Sequence, residues 1–269
     1  MRRLRNIALC LAVPYLLLCA AMFGLQRQLM YFPATDSPTP EAIGLRSVEI
    51  IDLPTPDGET LELWWAAPPN NSPTVLYFHG NAGSLAARAQ RLADFKAAGF
   101  GVALLSWRGF GNSTGTPSEP GLMIDAAAAY DWLAQQTNPA MIALVGESLG
   151  TGPAVQIAAK HEIGALLLGA PYTATVDVAA ETYPWLPVRI LMKDRFLSRE
   201  HVGQVSVPIH ISHGTADAVI PYHQGQALAA MAKAPVTFNS VPGAGHEVTI
   251  ERRTTAAEIA FIQGAIPSP

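Results

Sequence analysis

The chain has 269 residues, of which 49% are hydrophobic and 14% charged, and its formal net charge is −4. This length fits one large α/β domain or two small ones. All 21 acidic residues lie beyond Tyr31, where only 13 of the 17 basic residues are found. The acidic balance excludes the basic surface that nucleic-acid binding requires, so we expect no nucleic-acid partner.

Thiol and metal chemistry find no support in the composition. Both cysteines, Cys10 and Cys19, lie in an apolar N-terminal stretch. The rest of the chain therefore has no disulfide and no thiol that could act as a nucleophile or a ligand. No constellation of residues typical of a metal site or a cofactor site appears, and we expect neither.

The N-terminal stretch is long enough to cross a membrane. Three arginines in the first five residues precede uncharged residues 6–26, and Arg27 follows. Within this stretch Ile7 to Leu25 spans 19 residues, which suffices for a transmembrane helix. A signal peptide cleaved after the small residues at 19–21 is the alternative. The anchor is favoured because the apolar stretch continues past Ala21.

The arginine distribution predicts the orientation of this helix. Basic flanks resist translocation, so the N-terminal arginines should stay in the cytoplasm. We expect a single-pass protein of the cell membrane with the rest of the chain on the non-cytoplasmic side. After signal cleavage, the alternative, the protein would be secreted or periplasmic. A chain beginning near Tyr31 should be soluble and active, because every predicted strand lies beyond that residue.

Three regions are predicted along the chain: a cytoplasmic stub and anchor at 1–27, a lead-in at 28–46, and a folded domain at 47–267. The domain begins with strands at 48–53 and 60–66, joined by the hairpin signal Asp57-Gly58. Short apolar runs then alternate with helical patterns. Strands are predicted at 75–78, 101–107, 141–145, 165–168, 209–212 and 236–241, and helices at 84–97, 121–135, 151–161, 222–233 and 251–263.

Such alternation predicts an α/β fold, with a mostly parallel central sheet covered by helices on both faces. Active sites in these sheets lie beyond the carboxyl ends of the strands. Residues 171–207 are the only insertion available as a cap over such a site, and they are too few for a large lid.

Two serines fit the pattern Gly-x-Ser-x-Gly. Ser148, in "GESLG", follows the apolar strand "MIALV" and precedes a helical pattern, which is the strand–turn–helix setting of a nucleophile elbow. Ser113, in "GNSTG", has no strand leading directly into it and is followed by the proline-containing "TPSEPG". We therefore predict that Ser148 is a nucleophile and that Ser113 belongs to a structural loop.

A serine hydroxyl needs a base that accepts its proton, and the base needs an acid that orients it. In sheets of this kind the order along the chain is serine, acid, histidine. His246, in the loop "VPGAGHE" after the last strand, is the best placed of the seven histidines. Asp217 follows a strand and lies between Ser148 and His246; Asp177 is the fallback and Asp194 is disfavoured.

An oxyanion hole needs two backbone N–H groups. The residue after the nucleophile, Leu149, should supply one. The loop "HGNAGS" at 79–84, after the 75–78 strand, should supply the other, through Asn81. His79 in this loop precedes Ser148 in the chain, so we predict that its hydrogen bond fixes the loop.

Several segments together resemble the alpha/beta-hydrolase superfamily, and more narrowly its membrane-anchored serine hydrolases, which include lysophospholipid lipases and protein depalmitoylases. They are "LMYFP", "YFHGNAGS", "SWRGFGNSTGTPSEPG", "GESLGTGPAVQIA", "YPWLPVRILMKDRF", "HGTADAVIP" and "GAGHE". The resemblance implies that the loop containing Ser113 is structural. Trp107 is a departure, since such proteins often carry Tyr there.

The function expected from these residues is serine hydrolysis of a carboxylic ester or thioester, with an acyl substrate that includes lipids among its candidates. A serine peptidase with the same triad is the enzymatic alternative. A non-catalytic binding protein on the same fold is the other, because a fold alone does not guarantee activity.

Overall fold

The central element of the computed structural model is an eight-stranded sheet. The model describes residues 2–34 and 37–267, so residues 35 and 36 of the predicted lead-in lie outside it. The strands are β1 Glu49–Pro54, β2 Thr60–Ala66, β3 Thr74–Phe78, β4 Gly101–Leu105, β5 Ile142–Glu147, β6 Ala165–Gly169, β7 Ile209–Gly214 and β8 Val236–Val241. Their spatial order is 8-7-6-5-3-4-2-1.

The sheet is mostly parallel, as the sequence predicts. Strand β2 runs antiparallel to both of its neighbours, β1 and β4, and the other pairs are parallel. Phe78, the last residue of β3, pairs with Leu105 on one side and Gly146 on the other. The carboxyl ends of three strands therefore meet at one point of the sheet edge, where a site is expected.

Helices cover both faces. The helices of the described chain are α1 Arg2–Met30, α2 Ala89–Ala97, α3 Glu119–Leu133, α4 Thr151–Ala158, α5 Thr175–Thr182, α6 Val188–Leu191, α7 Tyr222–Met231 and α8 Arg252–Ala265. Successive strand residues point to opposite faces. In β3, Leu76 and Phe78 pack in the core beneath α3 and α4, whereas Val75 and Tyr77 pack in the core beneath α2 and α8.

The predicted elements are present, with shifted ends. Strand β5 continues to Glu147, directly before Ser148, because the sheet hydrogen bonds extend to Gly169 on β6. The helix predicted at 84–97 begins as a short 3₁₀ turn, Leu85–Arg88. Helices α5 and α6 lie between β6 and β7, within the segment that the sequence left as the only candidate cap.

Helix α1 is the one element of the described chain long and apolar enough to cross a membrane. The stretch concerned is Leu9–Met30, 22 residues with a mean hydropathy of 2.0, and it is almost entirely unburied. The helix runs past residue 27, the end of the predicted anchor, to Met30. The division of the chain at residues 27 and 46 therefore remains a proposal.

The end of α1 is attached to the domain. Arg27 donates two hydrogen bonds to Asp194, from Nε to Oδ2 at 2.8 Å and from Nη2 to Oδ1 at 3.0 Å. The Asp194 carboxylate is buried, and the Tyr31 hydroxyl also donates to it at 3.2 Å. Phe32 then pairs with Ala82 as a two-residue parallel bridge. The lead-in is thus packed against the domain rather than extended away from it.

The contact of Arg27 with Asp194 affects the stability of a chain that begins at Tyr31, which we expected to be soluble and active. Such a chain lacks Arg27 and leaves the buried Asp194 carboxylate without its cationic partner. In the full chain we expect Asp194→Asn to lower the free energy of unfolding by about 1–2 kcal/mol, because a hydrogen-bonded charge pair is lost and Arg27 is partly exposed. In the chain beginning at Tyr31, the same substitution should be neutral or stabilising.

Thermal unfolding of both chains, each with and without Asp194→Asn, measures this difference. The exposed Asp52→Asn is the matched control and should change neither chain. An equal effect of Asp194→Asn in the two chains would show that Arg27 contributes nothing to the stability of the domain.

Candidate active site

Ser148 lies on a sharp turn between β5 and α4. Its φ is +50°, in the left-handed region that residues with a side chain rarely adopt. A Cβ at Gly146 would lie 2.7 Å from the Thr151 Cα, and one at Gly150 would overlap the Phe78 carbonyl oxygen. Both flanking glycines are therefore required by close backbone packing. The turn has the strand–turn–helix form that the sequence predicts.

A continuous hydrogen-bonded chain links Ser148, His246 and Asp217. The Ser148 Oγ lies 2.9 Å from His246 Nε2, and His246 Nδ1 lies 2.8 Å from Asp217 Oδ2. A neutral imidazole with its proton on Nδ1 satisfies both contacts, since Nδ1–H then donates to the carboxylate and Nε2 accepts from the serine. The three side chains are thus arranged for proton transfer from the serine hydroxyl to the imidazole.

The Asp217 carboxylate is fixed by its own loop. Its Oδ1 accepts hydrogen bonds from the backbone N–H groups of Val219, at 2.8 Å, and Ile220, at 2.9 Å. Burial raises the pKa of Asp217, but contacts with His213 and His246 and the backbone donors outweigh it, so the pKa lies well below its usual range. The ionised carboxylate is therefore available at neutral pH to stabilise an imidazolium at His246.

The loop expected to supply an oxyanion donor passes beside Ser148. A Cβ at Gly80 would lie 3.4 Å from the Ser148 Cβ. The next residue, Asn81, is fixed by hydrogen bonds to the segment at the end of α1. Its carbonyl accepts from Phe32 N at 2.8 Å, and its Nδ2 donates to the Met30 carbonyl at 2.7 Å. Asn81, Ser148 and Leu149 line the same cavity. The role of the two backbone N–H groups remains a prediction.

The cavity at Ser148 has a volume of about 620 Å³, within the range of small-molecule sites. Among the described residues that line it, none carries a charged side chain. Three structural elements supply most of the wall: α1, the α5–α6 cap, and the loop after Asp217. The lining residues are Met22, Phe23, Gln26, Leu29, Met30, Phe32, Asn81, Ser148, Leu149, Tyr172, Thr175, Val178, Ala179, Thr182, Tyr183, Leu186, Val188, Leu191, Met192, Ala218, Val219 and Ile220.

Known proteins share this architecture. A family model described as alpha/beta hydrolase fold matches residues 73–199. An uncharacterized protein of Mycobacterium tuberculosis strain H37Rv is 39% identical over 228 residues, which cover 82% of this chain and 80% of that protein. The solved Pyrococcus furiosus esterase Pf2001 superimposes with a TM-score of 0.69 at 16% identity, covering 88% of this chain and 98% of the esterase. The chain belongs to the alpha/beta-hydrolase superfamily.

Within the superfamily the chain is similar to lipases. Lysophosphatidylserine lipase ABHD12 of Danio rerio is 32% identical over 199 residues, which cover 66% of this chain and 51% of the lipase. The match thus spans about half the length of that lipase. The resemblance to a lipase branch, inferred from the sequence motifs, is confirmed at this level.

The hydrolase contains a buried ionic network that the sequence analysis missed. Glu147 accepts from Arg88 Nη2 at 2.6 Å and from the Tyr77 hydroxyl at 2.7 Å. Arg88 in turn donates from Nη1 to the Ala82 carbonyl at 3.0 Å. The network therefore connects the residue before Ser148 to the loop that contains Asn81. Glu147 ends a fully buried strand, and a buried charge requires a partner of opposite charge. That requirement is the sequence signal that could have predicted the network.

The residues rejected as catalytic have other partners. The Ser113 hydroxyl donates to the Ser106 carbonyl at 2.9 Å and accepts from Glu62 N at 2.9 Å, so it fixes a loop. Asp177 forms ion pairs with Arg189 and Arg199 rather than with a histidine.

His79, the other residue set aside, is buried in its own loop. Its Nδ1 donates to the Gly80 carbonyl at 2.7 Å, and burial lowers its pKa to about 3, so the ring is neutral at physiological pH. Trp107, which replaces the Tyr often found in the family, donates from Nε1 to the His79 carbonyl at 2.9 Å. Among the described residues no group of three or more His, Cys, Asp or Glu could hold a metal ion.

The Glu147–Arg88 pair predicts a pH-dependent stability. Burial opposes ionisation of Glu147, but Arg88 outweighs it and lowers the pKa from its ordinary value of 4.5 to about 2. The stabilisation is therefore complete above pH 4.5 and is lost as the pH falls toward 2. Arg88→Met leaves only the Tyr77 hydroxyl and the more distant Arg91 to oppose burial, so the pKa of Glu147 should rise. We expect a loss of about 3–5 kcal/mol at pH 7.

This loss should shrink toward pH 4, where Glu147 of the variant becomes protonated. Urea unfolding between pH 4 and pH 8 measures it, with the exposed Arg46→Met as the control that should change little at any pH. A loss that stays constant across this range would rule out Glu147 as the group that Arg88 compensates.

Proposed function

We propose that this protein is a serine hydrolase that cleaves carboxylic esters or thioesters through an acyl-enzyme. The observation that carries the proposal is the chain of hydrogen bonds from Ser148 through His246 to Asp217, at 2.9 and 2.8 Å. Its first member, Ser148, lines a cavity without charged side chains. A serine activated in this way is a nucleophile for acyl transfer. Similarity to esterases and lipases supports the same chemistry.

The reaction follows from the positions of these groups. The Ser148 Oγ forms a bond to the substrate carbonyl carbon while His246 Nε2 takes the hydroxyl proton, and the carbonyl oxygen becomes an oxyanion. The backbone N–H groups of Asn81 and Leu149 stabilise that oxyanion. Asp217 stabilises the imidazolium, which then protonates the leaving alcohol or thiol as the bond to the acyl carbon breaks.

Water completes the cycle. It attacks the acyl carbon of the ester on Ser148 while His246 Nε2 accepts its proton. The second oxyanion collapses, the bond from carbon to Ser148 Oγ breaks, and the same nitrogen returns the proton to the serine. The products are a carboxylic acid and the alcohol or thiol, and the enzyme is regenerated without a cofactor.

The cavity favours acyl groups that are apolar. Its described lining has no charged side chain and consists mainly of Met, Phe, Leu, Val and Ala. A lysophosphatidylserine lipase is among the similar proteins. We infer that the substrates include lipids with an ester-linked acyl chain, while short soluble esters also fit the same catalytic groups.

Two alternatives use the same structure. A serine peptidase would employ the same three side chains, and comparing hydrolysis of an ester with that of its matched amide separates the two activities. A non-catalytic binding protein would need no hydrogen bond between Ser148 and His246. The positive φ of Ser148 disfavours this alternative, because strained backbone conformations cluster at active sites and ligand sites.

We further propose that α1 remains as a single membrane-spanning anchor, with the hydrolase domain on the non-cytoplasmic side. The arginines at 2, 3 and 5 favour this orientation. Tyr15 donates to the Trp185 carbonyl at 2.9 Å, a contact that cleavage after Ala21 would remove. Cleavage would keep residues 22, 23, 26, 29 and 30, the part of α1 that lines the cavity. The secreted form is therefore a functional alternative.

The nucleophile is tested by covalent labelling. A fluorophosphonate probe should label the wild type at Ser148, and Ser148→Ala should abolish labelling and lower the turnover of a short activated ester at least about a thousandfold. Ser113→Ala, the other serine in a Gly-x-Ser-x-Gly sequence, should remain labelled and active. Labelling that survives Ser148→Ala would refute the assignment.

The orientation is tested in cells. Protease added to spheroplasts should digest the hydrolase domain while the cytoplasmic membrane is intact, because the arginines keep only the N-terminus inside. A cytoplasmic marker protein serves as the control and should survive. Protection of the domain until the membrane is disrupted would mean that the opposite topology holds.

A further inference from the structure

The membrane-spanning helix forms part of the candidate substrate cavity. Met22, Phe23, Gln26, Leu29 and Met30 of α1 line the same cavity as Ser148. These contacts are fixed by hydrogen bonds between Gln26 and the cap: Gln26 Nε2 donates to the Leu191 carbonyl at 3.2 Å, and Lys193 N donates to Gln26 Oε1 at 2.7 Å. One wall of the cavity therefore continues directly into the membrane.

The opposite wall ends in an exposed apolar segment, residues 183–191, which we call the cap segment. Its exposed side chains include Tyr183 at 41%, Trp185 at 54% and Ile190 at 84%. Its only charged residue, Arg189, donates to Asp177 at 2.6 Å, and the Arg189 side chain is itself 61% exposed. Exposed large apolar side chains grouped in this way mark a surface that contacts a protein or a membrane.

The cap segment lies alongside α1 at the depth of the bilayer. The Tyr15 hydroxyl donates to the Trp185 carbonyl. Tyr15 precedes Met30 by 15 residues, about 22 Å along the helix axis at 1.5 Å per residue. A helix that spans the bilayer therefore brings the cap segment into it, and this is the observation that identifies a lipid leaflet, rather than a protein, as the partner.

Charged residues define where the hydrocarbon begins. The Lys193 ammonium lies 4.1 Å from the centre of the Phe23 ring. From residue 5, the last N-terminal arginine, to residue 23 the helix rises about 27 Å, close to the roughly 30 Å thickness of a hydrocarbon core. With Lys193 at the boundary, Tyr15 and the neighbouring Trp185 lie about 12 Å deeper, within one leaflet. The other end of the cap segment, Leu191, contacts Gln26 and lies close to the boundary.

We propose that the cap segment is inserted in the non-cytoplasmic leaflet beside α1, and that an acyl chain enters the cavity between them directly from the bilayer. Asn81 donates to the Met30 carbonyl, so Ser148 lies near the level of Met30, about 10 Å outside the hydrocarbon boundary. The substrate is an acyl ester amphiphile whose chain extends toward the membrane while its ester reaches Ser148. The catalytic part of this inference rests on the proposed serine hydrolase.

Insertion is tested without any assay of activity. Full-length protein is reconstituted in phosphatidylcholine vesicles with bromine atoms at the middle of the acyl chains, which quench nearby tryptophan fluorescence. Three of the other tryptophans, Trp64, Trp65 and Trp107, are buried in the domain. We expect quenching in the wild type that is mostly lost in Trp185→Phe. Equal quenching in the two proteins, or none in either, would overturn the insertion of the cap segment.

Entry of the chain from the bilayer is tested with two substrates. Trp185→Asp places a carboxylate within the leaflet, so hydrolysis of a long-chain ester embedded in vesicles should fall at least about tenfold. Turnover of a short soluble ester should stay within about twofold of the wild type. Ile50→Asp, which introduces the same carboxylate at an exposed apolar position on the edge strand β1, should affect neither substrate.

The outcomes separate the two proposals. If Trp185→Asp lowers both activities equally, or neither, access from the bilayer is wrong even though the enzyme is a hydrolase. If the wild type hydrolyses neither ester, the proposed function fails, and the quenching experiment still decides whether the cap segment is inserted.

Discussion

The close approach of the β5–α4 turn to the end of β3 is the constraint on which the site depends. Gly150 packs so tightly against the Phe78 carbonyl that no side chain fits there. This contact holds Ser148 at a φ of +50° and places its hydroxyl over the carboxyl edge of the sheet. The loop that begins at His79 starts from the same point, so one backbone contact positions both the candidate nucleophile and the candidate oxyanion donors.

Buried charges then hold the loops around this turn. Glu147, directly before Ser148, binds Arg88 and through it the Ala82 carbonyl. Asp194, deep in the cap region, binds Arg27 at the end of α1. A buried charge without a partner costs several kcal/mol, so each pair allows few other arrangements of the segments it joins. The sheet, the loops and α1 are thereby connected around one cavity.

Short sequence patterns predicted the strands of the sheet and the three candidate catalytic residues. The hairpin signal and the short apolar runs predicted all eight strands of the sheet. His246, chosen by loop position and chain order, lies within hydrogen-bonding distance of both Ser148 and Asp217. The cavity walls were not predicted. The contact of Arg27 with Asp194 joins residues 167 positions apart, and periodicity carries no information at that separation. The apolar pattern of α1 likewise predicted a possible membrane span without indicating that its last turns line a cavity.

Formation of a covalent acyl-enzyme on Ser148 can be tested by measuring how the acyl group divides between methanol and water. A series of esters with one acyl group and different leaving alcohols is hydrolysed in the presence of methanol, and the ratio of methyl ester to free acid is measured. A shared acyl-enzyme has lost the leaving group before methanol or water attacks. We therefore expect one ratio for the whole series, and formation of both products by Ser148→Ala at least about a thousandfold slower. A ratio that changes with the leaving group would contradict it, because attack would then occur on the intact ester.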